Sequence, residues 1–366
     1  MMGQFVWRNL FHRPVRTLIG VLAVAVEVML VITIVGLTSG MLQETAKRIE
    51  GIGADVMVQA PSSTMWLGFS GSPMPIKIGE KIKELKYVEY VSPALLQFNT
   101  SGGVETIWGI DPPSFRDVSK GFVFHEGHDL QGPDDILVDD WQARAKHLNV
   151  DDTYTVLNHD WKVVGIVEHG KAGRIFVPMA TLQELVGARE KATIFLVKCT
   201  RSDHTPDVID ELKELLPNYP VRPVKEFMTL MSSSNIPALQ TFINAIIALA
   251  VSIGLLVIFL SMYTTVLERT RDIGVLKSLG ASKLLIVRAL LAETTLLAFL
   301  GIFTGIGLSY LVRASFLKLF PTLSILITPG WMVRAGLIAI VGAFVGAIYP
   351  AWTASRKDAV EALAYD

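Results

Sequence analysis

Charge, cysteine and any excess of basic residues are all scarce in this chain. Only 18% of its 366 residues are charged, against roughly 25% in soluble domains. The 33 Lys and Arg offset 34 Asp and Glu, for a formal net charge of −1. That leaves no global basic footprint for nucleic acid. Cys199 is the single cysteine, so no internal disulfide framework can form. Its 29 glycines and 17 prolines are ordinary numbers and exclude collagen-like and low-complexity chains. What the chain has in excess is apolar side chains, 51% of the total. The mean hydropathy is +0.45. Disordered chains are poor in apolar residues, so disorder is excluded as well.

The apolar residues are clustered. A bilayer core about 30 Å thick needs about 20 apolar residues in a helix rising about 1.5 Å per residue. Four stretches meet that length: 18–37, broken by Glu27 and Thr33; 242–263, with no charge; 290–312, with Glu293 near its start; and 331–352. Burial of four such runs in one soluble core is the weaker alternative. The first run follows Arg8, Arg13 and Arg16, as a signal peptide would, but it is longer than the roughly 7–15 residues of a signal-peptide apolar region. An uncleaved span is therefore expected.

Lys and Arg in short loops set orientation. Arg8, Arg13 and Arg16 precede the first span. Arg269, Arg271, Lys277, Lys283 and Arg288 lie between the second and third, and Arg356 and Lys357 in the tail. Arg313, Lys318 and Arg334 beside the third loop are a minor counter-signal. The expected order is a cytoplasmic lead-in at 1–17, spans at 18–37, 242–263, 290–312 and 331–352, an extracytoplasmic domain at 38–241, a cytoplasmic loop at 264–289, an outer loop at 313–330 and a cytoplasmic tail at 353–366. The fold class is thus an α-helical membrane protein with four transmembrane helices. A large α+β extracytoplasmic domain is inserted between the first and second.

Within 38–241, short β-rich runs bounded by Gly, Pro and Asp lie at 54–60, 105–110, 135–138, 154–157, 161–167, 174–177 and 193–198. Helices are expected at 140–147, 179–186 and 206–216. The stretch 61–75 reads as a loop carrying Met65, Trp66, Leu67, Phe69 and Met74.

Several motifs invite chemistry without completing it. Gly165 to Lys171 has the spacing of a phosphate-binding loop, but Ala172 stands where the magnesium-binding Ser or Thr belongs. No ATPase of the chain's own is expected from it. His125, Glu126, His128 and Asp129 are metal-ligand types, but the histidines are three apart beside Gly127, where the zinc-protease helix needs four. A solvated loop is the plainer reading. No nucleophile elbow occurs, and no catalytic, cofactor-binding or metal residue is assigned. Glu27 is an ionisable residue mid-span and so a functional candidate by default; facing the bundle is the plainer account. Gly301 with Gly305, and Gly342 with Gly346, are small-xxx-small pairs suited to close helix packing, within the bundle or across a dimer.

The run from Glu268 to Lys283 is the most informative. Ile273, Leu276 and Gly280 fall at i, i+3 and i+7, on one face of a helix, with charges over the rest. Such a helix suits a membrane surface or a groove on a soluble partner. Gly274 and Gly280 each weaken an isolated helix by about 1 kcal/mol, which close approach to another surface would explain.

Glu268-Arg269-Thr270-Arg271-Asp272-Ile273-Gly274-Val275-Leu276-Lys277-Ser278-Leu279-Gly280-Ala281 closely resembles the signature of FtsX/MacB/LolC-type ABC transporter permeases. Glu293 and the glycines of the third span, the closing Tyr349–Leu363 run and the opening Asn9–Thr17 run are similar to that family too. Ala359 stands where the family usually has proline, and Glu27 where small or apolar residues are usual. The resemblance implies that Glu268, Arg269, Arg271, Asp272, Ile273, Gly274, Leu276, Lys277, Gly280 and Ala281 form a coupling helix docked on a separate cytoplasmic ABC ATPase, which binds ATP and Mg. It implies an inner-membrane dimer with a second, identical or different, permease. ATP-driven motion would reach the outer domain for export or extraction of a lipid, lipoprotein, peptide or drug. A periplasmic adaptor and an outer-membrane channel are further candidate partners. The alternative is FtsX-like control of a cell-wall hydrolase. A membrane-anchored enzyme or sensor is a third class, disfavoured by the coupling signature.

Overall fold

A computed structural model describes residues 14–61, 72–99, 105–230 and 236–356. The described residues form two compact units. One draws on the described residues up to Gly40, Pro237–Leu319 and those from Ile325 onward; the other on the described residues between Met41 and Ile236 with Phe320–Ser324. The Asn9–Arg13 part of the opening run, Met65, Trp66, Leu67 and Phe69, and tail residues Lys357–Leu363 lie outside the described residues.

The first unit is a bundle of long apolar helices: α1 (Pro14–Gly51), whose residues to Gly40 belong here, α8 (Pro237–Glu268), α10 (Lys283–Leu319) and α11 (Pro329–Arg356), with the short α9 (Thr270–Ser278) between α8 and α10. The four long helices are each long and apolar enough to cross a membrane. All outrun the ~20 residues a bilayer needs. At 38 residues, α1 is about 57 Å long, and its stretch from Met41 packs in the second unit.

Lipid gives little hydrophobic drive between helices, so small residues and close contact hold them together. Gly301 of α10 sits on Val21 and Val24 of α1, and Gly305 sits on Ala25 and Val28. A Cβ on Gly305 would lie 2.6 Å from the Ala25 carbonyl oxygen. Gly346 of α11 packs on the backbone of α8, where a Cβ would be 2.9 Å from the Leu255 oxygen. Both pairs therefore pack within the bundle. Ala335, Ala339, Ala343, Ala347, Ala351 and Ala354 continue a buried alanine face along α11.

The second unit is a mixed α/β domain. Its strands are β1 (Val56–Gln59), β2 (Met74–Pro75), β3 (Val88–Asn99), β4 (Glu105–Ile110), β5 (Phe124–Gly127), β6 (Asp135–Asp139), β7 (Thr153–Val156), β8 (His159–Val167), β9 (Ile175–Pro178), β10 (Lys191–Ala192), β11 (Ile194–Cys199) and β12 (Val221–Pro223). Its helices are α2 (Lys77–Lys83), α3 (Pro112–Ser119), α4 (Asp140–Lys146), α5 (Met179–Leu185), α6 (Thr205–Leu215) and α7 (Val224–Leu230). The main sheet runs β12-β1-β11-β3-β4-β9-β6-β8-β5, with β7 on β8. The pairs β4–β9 and β6–β8 are parallel; the others are antiparallel.

Both faces of the sheet are covered, and side chains alternate between them with the pleat. On β11, Ile194 and Leu196 join one core while Phe195, Val197 and Cys199 join another. On β4, Trp108 and Ile110 face one side and Ile107 the other. Burial on both faces explains why these strands read as continuous apolar runs.

Three readings of the sequence change here. His125 to Gly127 lies on edge strand β5 with exposed side chains, not in a loop. Met74, read as part of an exposed loop, is buried in β2. The 12-residue strand β3 and helices α2, α3 and α7 had no counterpart in the pattern analysis. Polar residues interrupt β3 at Glu89, Ser92 and Gln97, and Pro93 sits inside it.

Asp139 caps α4, accepting a hydrogen bond from the Gln142 amide at 2.6 Å. It is 1% exposed, and its Oδ2 is buried without a hydrogen-bond partner among the described residues. Burial pushes its carboxyl up to about 6, with Arg174 pulling the other way. The folded state thus holds this proton more tightly than the unfolded chain, and the stability it adds is lost as pH rises through about 6. Urea unfolding of the full chain, followed by tryptophan fluorescence, should show a loss on the order of 1 kcal/mol between about pH 5 and pH 7.5. Asp139→Asn, which keeps the cap, should remove that part of the pH dependence.

Candidate functional site

The turn between α8 and α10 is closed by its own backbone. α8 ends at Glu268, and Arg269 takes φ −103°, ψ 16° before α9 starts. The Thr270 hydroxyl donates to the carbonyls of Val266 and Leu267, both at 2.9 Å. At the far end the Gly280 amide donates to Lys277 O and the Ala281 amide to Leu276 O, each at 3.0 Å. With Gly280 at φ +90°, this is a Schellman closure, which favours glycine. Ser282 then caps α10, accepting from the Leu285 amide at 3.3 Å.

These bonds correct the single apolar face expected for Ile273, Leu276 and Gly280. Gly280 lies beyond the helix, and its positive φ accounts for it without an approaching surface. Ile273 is buried in the core of the bundle, with Thr270 and Gly274 also buried. The exposed apolar side chains are Val275 at 44%, Leu276 at 38% and Leu279 at 79%. Around them Glu268, Arg271 and Asp272 are exposed, while Lys277 and Ala281 are half-buried. Val275 and Leu279 were missed because periodicity picks out the stripe that packs. Their signal was their four-residue spacing on the opposite side of the run.

Beneath α9 lies a cleft of about 350 Å³ lined by Ile273, Leu276, Ile286 and Leu290. Arg269 and Glu293 also line it and form an ion pair at 3.3 Å, their side chains 17% and 11% exposed. The pair ties the break after α8 to the third spanning helix. The charge near the start of that span thus has its partner within the chain.

The other candidates sit elsewhere. The Lys171 ammonium donates to the carbonyls of Ser119 and Gly121, and burial lowers its basicity. It braces its own domain and does not point into an open phosphate cradle. His128 Nδ1 bonds the Asp129 carbonyl at 2.8 Å, and Asp129 pairs with Arg116 at 2.8 Å. Cys199 is buried at the end of β11, where burial raises its thiol. Glu27 is buried in the bundle, against Gly254 of α8 and near Gly342 of α11.

Two family models match this architecture. A MacB-like periplasmic core domain covers residues 17–215, more than half of the chain, and an FtsX-like permease C-terminal domain covers residues 244–359. The chain belongs to the MacB/FtsX-type family of ABC transporter permeases. Within that family the β-rich unit is the periplasmic domain, and the chain is a multi-pass membrane protein. Similar curated proteins are those named macrolide export ATP-binding/permease protein MacB. That of Shewanella sp. (strain W3-18-1) is 24% identical over 96% of this chain and 58% of the relative. That of Hahella chejuensis is 24% identical over 99% and 59%. The chain thus spans under three fifths of the length of the curated relatives it matches. The periplasmic region of MacB from Actinobacillus actinomycetemcomitans superposes with a TM-score of 0.39 at 14% identity, over 50% of this chain and 95% of that one.

Removing one partner of a buried ion pair strands the other charge. Arg269→Ala or Glu293→Gln should each lower stability by about 3 kcal/mol, read as thermal unfolding of the full chain in detergent. The swap Arg269→Glu with Glu293→Arg should recover part of the loss.

Proposed function

We propose that this chain is the permease of an ABC transporter whose α9 receives the motion of a cytoplasmic ATPase and passes it to the spanning helices. In this reading α9 and both termini face the cytoplasm. ATP and Mg are bound by an ABC ATPase subunit, and two permeases, identical or different, form the working assembly. The periplasmic domain then handles substrate outside the membrane, for export or extraction of an amphiphile such as a lipid, lipoprotein, peptide or drug. A periplasmic adaptor and an outer-membrane channel would be its further partners. The similar proteins are named for macrolide export and for ATP binding with a permease, which supports the export class over hydrolase control.

The observation that carries the reading is the exposed trio Val275, Leu276 and Leu279 on a short helix capped at its far end and pinned by Arg269 to the third span. Large apolar side chains on an ordered loop between two spans are suited to a groove on a partner. Rigid closure at Gly280 and Ser282 would let a push on that trio move α10 instead of bending the loop.

Leu276→Asp with Leu279→Asp should leave insertion and thermal stability near wild type. ATPase activity of the reconstituted complex should fall at least tenfold, which at ~1.4 kcal/mol per decade is within reach of two desolvated leucines. A double variant that still binds the ATPase and supports full hydrolysis would refute the assignment.

A further inference from the structure

One buried group in the bundle has no role in the coupling site. Glu27 lies midway along the 18–37 apolar run of α1 and is 3% exposed. Among the described residues neither carboxyl oxygen has a hydrogen-bond partner. The neighbouring helices are shaped around it. A Cβ on Gly254 of α8 would fall on Oε2, and one on Gly342 of α11 would come within 3.8 Å of Oε1. Next to it on α1, Ala25 and Val28 are sealed by Gly305 of α10. Glycine at 254 therefore makes room for a carboxyl that no charged group among the described residues of the niche neutralises, and Gly342 borders it at ordinary contact distance.

The charged and titratable groups on the surrounding helices stand well away along their axes. On α8 the nearest is Tyr263, nine residues from Gly254, about 13 Å along the helix. On α11, Arg334 and Tyr349 are eight and seven residues from Gly342, about 12 and 10 Å. On α10, Glu293 is eight residues from Gly301 and pairs with Arg269, while Tyr310 is 47% exposed. On α1, among the described side chains, the nearest charged group is Glu44, 17 residues away. An ion without a partner, buried among apolar helices, is far costlier than a neutral acid.

We propose that Glu27 is a proton-binding site of the helix bundle: it holds a proton while Gly254 and Gly342 pack against it, and releases that proton to water when α8 and α11 part from α1. The step is carboxylic acid to carboxylate plus a proton, with no other reactant. The packed arrangement binds one proton more than the parted one, so lower pH favours it by linkage.

The test is infrared spectroscopy of the full chain in lipid nanodiscs at neutral pH, wild type minus Glu27→Gln. The amide is nearly isosteric and should fit the same niche. The expected difference is a carbonyl band of a protonated carboxylic acid that shifts in heavy water. A carboxylate band in its place overturns the proposal. Should the variant fail to fold, dicyclohexylcarbodiimide, which attacks protonated carboxyls in apolar surroundings, is applied to wild type. Mass spectrometry of the Glu27 peptide then decides: label at neutral pH supports the site, and its absence overturns it.

Discussion

Close approach of helix backbones is the constraint on which the membrane unit depends. Lipid offers no gain from hiding an apolar side chain, so contact between helices must come from fit. Gly301 and Gly305 bring α10 onto α1, and Gly346 brings α11 onto α8. The alanine face of α11 continues the same seam. Tight packing also leaves polar groups nowhere to go unless they are matched. Glu293 is matched, by Arg269. Glu27 is accommodated in shape by Gly254 and, among the described residues, is not matched in charge.

The coupling segment solves a different problem. A loop between two spans transmits force only if it does not bend. Thr270 anchors the start of α9 to the last turn of α8, Gly280 closes its end, and Ser282 starts α10 afresh. Ile273 roots the helix in the core of the bundle, while Leu279 faces outward and Val275 and Leu276, which line the cleft, stay exposed. The residues that hold the helix and those that can meet a partner are thus separate sets. In the second unit, Arg174 bonds the Thr322 carbonyl at 2.8 Å and lies over the Trp141 ring at 5.1 Å. The Phe320–Ser324 segment, which links the third and fourth long helices in the chain, is thereby held within the periplasmic domain.

The amino-acid order alone determined the number of long apolar helices, the place of the inserted domain and most of its strands. Each of these rests on composition over a window. Runs of about 20 apolar residues have no other economical home than a bilayer, and β-rich runs between Gly and Asp punctuation have few alternatives. The family was legible for the same reason, since its signature is local.

The tertiary structure alone decided what depends on neighbours. Strand β3 carries polar residues and Pro93 that hide its length, and only pairing with β11 and β4 makes it a central strand. Periodicity joined Ile273 to Leu276 and Gly280, because a face that packs on its own bundle and a face that meets a partner have the same spacing. Position in space divides them: Ile273 is inside, Leu279 is outside, and Gly280 is a turn. The sequence marked Glu293 and Glu27 alike as charges in apolar runs. Whether such a charge is cancelled or stranded depends on one guanidinium a few ångströms away, which no linear pattern contains.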